Sequence, residues 1–445
     1  MNATLHEQPA ARNAFAAYRT PLPRESEAFD LPVTGAIPRE LTGWFVRNGP
    51  NPRPGRQAHP FMEDGMLHGL RLEDGAARWY RSRWVRTKSF TTGAPYVNWL
   101  GKVDLAVGTA NTNAIAHAGK LLALVESSFP YEVTPELDTV GPHDFNRRLK
   151  TPFTAHPKRC PRTGELHAYG MSYLAGGLTY HRIDVRGALV ESRAIPVPGV
   201  TMMHDFALTE RHVVFMDLPV VFDLTRAKAG EMPFAWSDGY GARLGVMRRD
   251  DPKAPVRWIE IEPCYVFHVM NAYDDGQTIV VDVVRYPELW RDDNRSFERA
   301  TLHRWTIDTA AGSVRETALD DAPIEFPRVN EGLLGSAYRI GYAAQSHDEG
   351  RAGIVRYDLT TGASTRHDFG AGRFSGEPVF VPAAGGRDED DGWLMAFVYD
   401  AARDASDFVI LDARDVSAAP VASIALPNRV PFGFHGNWVD DGELR

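Results

Sequence analysis

The chain has 445 residues, 43% hydrophobic and 24% charged, the balance of an ordinary globular protein long enough to bury a large core. Its net charge of -9 and its scattered Lys and Arg give no basic face for a phosphate backbone, so no nucleic-acid partner is expected. Cys160 and Cys264 are its only cysteines, which excludes a disulfide scaffold and a thiolate zinc site and fits a reducing, cytoplasmic setting.

In chain order, residues 1–27 show no basic segment followed by an apolar one, so no secretory signal is expected and they read as an N-terminal extension. No uninterrupted apolar run approaches 18 residues, so no membrane-spanning helix is expected, and any membrane contact would be peripheral, through an apolar patch. Strands and turns dominate the rest of the chain. LLALVESS (121–128), HVVFMDLPVVFDL (212–224), TIVVDVV (278–284) and WLMAFVYD (393–400) are β-branched and aromatic runs bounded by turn signals such as EDG, AGK, DDG and TTG. Gly and Pro punctuate the whole chain and pool into no linker.

A weak repeat is superimposed on these strands. YHRIDVRGALVESRAI, LHRWTIDTAAGSVRETAL, GIVRYDLTTGASTRHDF and FVILDARDVSAAPVASIAL each place an apolar strand, an Asp (Asp184, Asp308, Asp358, Asp412), a short turn and a more polar strand in that order. The last three Asp are 50 and 54 residues apart, the spacing of propeller blades. Two stacked sheets with coincidental hairpins is the alternative, and it would more naturally divide the chain with a linker.

Among 15 histidines, His6, His143, His212, His347 and His367 sit in polar, turn-like stretches and read as solvated surface. Four differ: FTAHPK (His156), MMHDF (His204), YVFHVMNAYDDG (His268) and FGFHGNW (His435) set an imidazole among apolar or aromatic residues near a strand boundary. In a propeller, inner strand ends of different blades converge on the axis, so these four can meet. Neutral imidazole is the commonest metal ligand and suits Fe, Zn, Cu and Ni. A ligating His also needs an acceptor on its other nitrogen. Glu126, Glu325 and Glu377 lie in apolar strand contexts where a lone acid would be costly, and they are the candidate acceptors.

Nine ordered motifs from about residue 28 onward resemble the carotenoid cleavage oxygenase family, which includes apocarotenoid, retinoid and lignostilbene enzymes. They are GWFVRNGPNPRP, EDGMLHGLRLEDGAARWYRSRWVRT, NTNAIAHAGKLLALVES, FTAHPKRCPRTGELHAYG, MMHDFALT, FHVMNAYDDG, EFPRVN, GEPVFVP and PFGFHGNW. The resemblance implies an all-β fold for residues 28–445, a single seven-bladed β-propeller domain with loops and short helices domed over one face. It further implies one Fe(II) per chain held by His156, His204, His268 and His435, with Glu126, Glu325 and Glu377 behind three of them. The implied reaction uses O2 to split a conjugated C=C bond into two carbonyl products. No dinucleotide fingerprint or P-loop argues for another cosubstrate.

The substrate reading follows from single positions. In stilbene-cleaving members a lysine usually precedes the first glutamate and can favour a phenolate; here that residue is Val125. A lipophilic polyene, carotenoid or apocarotenoid, is therefore expected, with Phe61, Phe267 and Phe432 lining its tunnel. Cleavage of a phenolic stilbene is the alternative, in which Tyr96 contacts the phenol in place of simply packing. A propeller serving only as a binding scaffold is a further alternative, because this architecture hosts many functions. A zinc hydrolase fits poorly, because catalytic zinc keeps three protein ligands.

Overall fold

The computed structural model describes residues 9–56, 59–251, 253–292, 297, 299–348 and 351–444; His6 and the side chain of His347 lie outside the described residues. Among the described residues, seven antiparallel sheets form the blades of a β-propeller, and a separate two-stranded ribbon stands outside them. Blade 1 joins both ends of the chain: Gly436–Asp440 pairs with Gly43–Pro50, aligning Arg47 with Gly436 and Gly43 with Asp440, and Gly65–Glu73, Ala76–Trp84 and Ser26–Phe29 follow outward. Blades 2 to 6 span residues 113–142, 158–195, 206–261, 265–318 and 324–368. Blade 7 spans residues 373–425 and gains Val33–Gly35 as an outer strand, so N-terminal strands close two neighbouring blades.

Apolar layers between successive blades hold the ring. Between blades 7 and 1, Phe45 meets Phe397 and Phe408 with ring centroids 5.2 and 4.8 Å apart, and Tyr80 and Ile410 join the same cluster. Middle strands are covered on both faces, which is why runs such as WLMAFVYD are apolar without strict alternation. Fully burying each such side chain contributes about 1.5–3 kcal/mol.

The repeated Asp has a local cause. Asp184, Asp308, Asp358 and Asp412 stand at the turn between the third and fourth strands of blades 3, 5, 6 and 7, counted from the axis. Each carboxylate accepts backbone N–H groups within four residues: Arg186 and Ala188, Ala310 and Ala311, Thr360 and Thr361, and Arg414. An Asp side chain that mimics a backbone turn fixes the hairpin at the same place in each blade.

Two expected strands are shorter than their apolar runs. LLALVESS is a strand only as Lys120–Leu124, leaving Glu126 in the following turn. HVVFMDLPVVFDL breaks near Pro219, which has no N–H for a ladder. Beyond it, Val220–Phe222 leaves blade 4 to form the ribbon with Phe234–Trp236. Between the ribbon strands runs helix Leu224–Ala229, capped by Asp223 accepting from Thr225 and Arg226 N–H. The ribbon, the turn Pro60–Met62, helix Lys88–Thr92 and residues 287–292 belong to the dome. His143, His212 and His367 are half-buried with polar neighbours, not freely solvated. His212 Nδ1 is 2.6 Å from Asp274, and His367 Nδ1 donates to the Val416 carbonyl at 2.7 Å. Among the described residues no helix is long and apolar enough to cross a membrane.

Candidate metal centre

Each of the four singled-out histidines lies at or on the first strand of its blade. His156 and His204 come two residues before Lys158–Arg159 and Phe206–Leu208, and His435 immediately precedes Gly436–Asp440. His268 lies inside Tyr265–Asp275, where the register shifts between Val266 and Val269. Such a bulge re-aims a side chain that regular pleating would send elsewhere. The consequence is a meeting of residues up to 279 positions apart: one ring nitrogen from each imidazole lies within 4.8 Å of all the others, and all four residues are buried. His156 Nε2 is 3.0 Å from His204 Nε2, and His268 Nε2 is 3.2 Å from His435 Nε2.

The far nitrogens explain why these near nitrogens need a cation. His268 Nδ1 donates to Glu325 at 2.5 Å and His435 Nδ1 to Glu377 at 3.1 Å, while His204 Nδ1 contacts Glu126. With the proton held at Nδ1, a neutral imidazole presents a bare lone pair at Nε2. Nε2 lone pairs facing each other at about 3 Å repel unless a positive ion stands between them. For nitrogens about 2.1 Å from one ion, neighbouring corners of an octahedron are about 3.0 Å apart and opposite corners about 4.2 Å. The donor set and its spacing thus fit a divalent metal. Among the described residues His156 has no carboxylate partner; its backbone N–H donates to Thr154 Oγ1 at 3.0 Å.

Burial holds His156 well below its ordinary value, reinforced by the three other imidazoles, so it is neutral and free to ligate. Burial likewise takes His435 down to about 4 against the pull of Glu377. For His268 burial acts in the same direction, but the charge of Glu325 and its hydrogen bond outweigh it and raise the value. Burial would raise Glu377, yet Arg328 and His435 together bring it to about 2, so it remains an acceptor throughout the neutral range.

Several supporting residues carry no signal that sequence reading could use, because their partners are distant in the chain. Arg328 lies 3.4 Å from Glu377 and also donates to Glu331 and to Asn437. Asp205 accepts from Lys158 Nζ at 2.8 Å and from Val269 N–H at 2.9 Å, tying together the strands that follow three of the histidines. Phe326 has φ of +53°, a conformation a bulky residue rarely adopts, and its ring lies 5.4 Å from both His268 and His435. The motif EFPRVN contains both Arg328 and Phe326, but only the fold assigns their contacts.

The two sides of the cluster differ. Residues before the ligating positions form an aromatic group: Phe267 is 5.1 Å from the His204 ring and 6.1 Å from Phe61, and Phe61 is 5.4 Å from Phe434. Trp290 closes the group at 5.7 Å from Phe61. Phe432 lies one ring further out, packed on Phe434 and on Phe15 and Tyr18 of helix Pro9–Tyr18. Phe434 and Trp290 were thus missed, although Phe434 adjoins His435 in the sequence. Tyr96 is half-buried, with its hydroxyl donating to the Ser127 carbonyl at 2.8 Å, and burial pushes it up to about 12. Val125 is buried beside Glu126. Residues after the ligating positions, among them Lys158, Met270 and Asn437, instead line a cavity of about 130 Å³.

Residues 19–440 match the family described as retinal pigment epithelial membrane protein. The chain is 39% identical to the carotenoid cleavage oxygenase of Mycobacterium tuberculosis (strain ATCC 25618 / H37Rv), over 95% of this chain and 96% of that one. It is 34% identical to the carotenoid 9,10(9',10')-cleavage dioxygenase of Crocus sativus, over 94% and 87%. Among solved structures, cobalt-substituted Synechocystis ACO, an apocarotenoid oxygenase, superposes with a TM-score of 0.87 at 28% identity, covering 96% of this chain and 98% of that one.

Proposed function

This chain belongs to the carotenoid cleavage oxygenase family, and on that premise we propose that it is an Fe(II)-dependent dioxygenase that cleaves one conjugated C=C bond of a carotenoid or apocarotenoid. One observation carries the reading: three imidazoles hold their protons toward Glu126, Glu325 and Glu377, and their bare nitrogens converge beside an aromatic enclosure. His156, His204, His268 and His435 would hold the iron as four neutral imidazoles, and when bound it would supply activation of O2 beside the alkene. In the balanced reaction each alkene carbon receives one oxygen atom of O2 and the C=C bond becomes two carbonyl groups.

The residues divide the remaining work. The three glutamates fix the tautomer and aim of their imidazoles and offset the metal's charge without occupying a ligand position. Phe61, Phe267 and Phe434 offer apolar ring faces to a polyene, with Phe432 supporting Phe434 from behind. Dome segments over these rings keep water from the reacting carbons. Val125 brings no cation to a substrate oxygen, so nothing there favours a phenolate.

The substrate is nearly insoluble in water, which gives meaning to the dome's exposed apolar tip. Trp99 is 91% and Leu100 57% exposed, on a turn whose Tyr96 reaches Ser127 beside Glu126. We place a hydrophobic, weakly salt-dependent membrane or micelle contact there, since a net charge of -9 opposes electrostatic attachment to anionic lipid. A second reading, cleavage of phenolic stilbenes, rests on that same Tyr96. The test is to incubate Fe(II)-loaded protein with carotenoids, apocarotenals and hydroxystilbenes in detergent micelles and identify the aldehydes. Polyene-derived aldehydes at one iron per chain are expected. Turnover of hydroxystilbenes alone would transfer the proposal to the phenolic reading, and protein that retains no iron would reduce the propeller to a binding scaffold.

A further inference from the structure

We propose that the cavity on the polar side of the four imidazoles is the route by which a hydrated divalent metal ion enters and leaves the site, with the Arg159–Glu443 ion pair as its gate. The inference rests on the metal reading above and adds a path, which that reading does not require.

The cavity meets His156, His268 and His435 at its inner end and Arg159 and Glu443 at its outer end. At roughly 30 Å³ of liquid volume per molecule, its volume of about 130 Å³ holds about four waters, enough for a partly hydrated ion. A hydrated dication gives up water only where other donor atoms replace it, and on the way to the imidazoles oxygen donors can do so. This cavity supplies four carboxylates, Asp205, Glu331, Glu377 and Glu443, against three basic side chains, Lys158, Arg159 and Arg328. The carboxamide oxygen of Asn437, which accepts one bond from Arg328, adds a neutral donor along the same wall. The opposite side of the cluster offers the rings of Phe61, Phe267, Phe434 and Trp290, where an ion would lose its hydration without replacement. Polarity therefore sends the ion one way and the polyene the other.

The outer wall is thin. A surface groove on its far side shares Ala116, Arg159 and Glu443 with the cavity. Glu443 projects from the final turn, Asp441–Leu444, which is itself pinned by the Arg71–Asp441 ion pair and by Leu444 packing near Ala116. The turn is held, while the Glu443 side chain is tied by two contacts, the half-exposed Arg159 guanidinium and the Asp440 N–H at 3.3 Å, and an ion pair with so exposed a partner is worth little.

The experiment measures exchange rates. Release of Fe(II) from the loaded protein into excess coloured chelator is timed, and so is uptake of Co(II) by the stripped protein through its visible absorption. Glu443→Gln should speed both about two- to fivefold, the span an exposed ion pair allows. Ala116→Phe, whose ring would fill the shared wall, should slow both by about tenfold or more. Phe61→Ala, on the aromatic side, should leave both unchanged. Equilibrium Co(II) affinity should stay within about twofold of wild type in all three, because a gate moves uptake and release together whereas damage to the site does not. Should Ala116→Phe unfold, as circular dichroism would reveal, the surface substitution Glu443→Gln decides alone. Wild-type rates in Glu443→Gln, or faster exchange in Phe61→Ala, would overturn the route. Folded wild-type protein that takes up no Co(II) would instead overturn the four-histidine reading on which the route rests.

Discussion

The two sides of the histidine cluster are built from the same strands yet share almost no chemistry. On one side stand Phe267 and Phe434, joined by Phe61 from the turn Pro60–Met62; on the other, two residues past His268, His435 and His156, stand Met270, Asn437 and Lys158 among paired charges. A strand that crosses the plane of the imidazoles can therefore serve an apolar ligand above and a hydrated one below. The boundary between the two is one residue thick, and that residue is a histidine.

Removing the boundary should give the largest effect. His435→Ala takes away one of the two Nε2 groups that stand 3.2 Å apart and leaves Glu377 beside Arg328 without its imidazole. Iron content should fall to about a tenth of wild type or less and turnover by about a thousandfold, equivalent to roughly 4 kcal/mol. Stoichiometric iron in that variant, measured by elemental analysis, would mean that the two sides do not meet at a metal.

The next effect is on stability and has a definite sign. In the metal-stripped protein His435 is depressed to about 4, while an unfolded histidine titrates near its ordinary value of about 6.5. The folded state therefore binds fewer protons, so its contribution is complete above about pH 6.5 and is lost as pH falls toward 4. The loss is on the order of 2–3 kcal/mol, and His156 acts in the same direction, whereas His268, raised beside Glu325, acts in the opposite one. Urea unfolding at pH 7 and 4.5 should show a steeper acid loss in wild type than in His435→Gln. Equal slopes would show that His435 is not held neutral by burial.

Smaller again are the glutamates. Glu126→Gln, Glu325→Gln and Glu377→Gln should each weaken metal affinity about 10- to 100-fold without unfolding the chain. Glu377→Gln should lie at the upper end, because it also leaves the charge of buried Arg328 partly uncompensated. Co(II) titration ranks them. Equal and negligible losses would separate these acids from the imidazoles they touch.

How far the sequence reveals this arrangement depends on the range of each interaction. The blades were visible where Asp184, Asp308, Asp358 and Asp412 organise a turn within four residues, a signal that is entirely local. Blade 4 hid its period because the Val220–Trp236 excursion is inserted between its middle strands, and blade 1 hid its own because its strands come from both ends of the chain. The four histidines stood out because an imidazole among aromatic neighbours is unusual in any short window. Their alignment, the Asp205 and Arg328 contacts and the φ of Phe326 were illegible, since each depends on partners tens to hundreds of residues away or on backbone geometry.

The smallest effect concerns the neutrality of the aromatic side. Val125 is buried next to Glu126, and Tyr96 reaches the neighbouring Ser127 carbonyl, so this is where a substrate oxygen could be sensed. Val125→Lys would put an ammonium there. Burial penalises the charged form, but Glu126 lies beside it and offsets part of that penalty. Part of Glu126's hold on His204 would be diverted to the new cation, so turnover of apocarotenals should fall about two- to fivefold by the same tautomer argument. Turnover of 4-hydroxystilbenes should rise by a similar factor, because a nearby cation favours phenolate. The crossing of the two rates, measured side by side in micelles, is the informative outcome. If hydroxystilbene turnover is already fast in wild type and unmoved by the lysine, Tyr96 alone suffices for phenol recognition, and the aromatic side is not the neutral surface that its rings suggest.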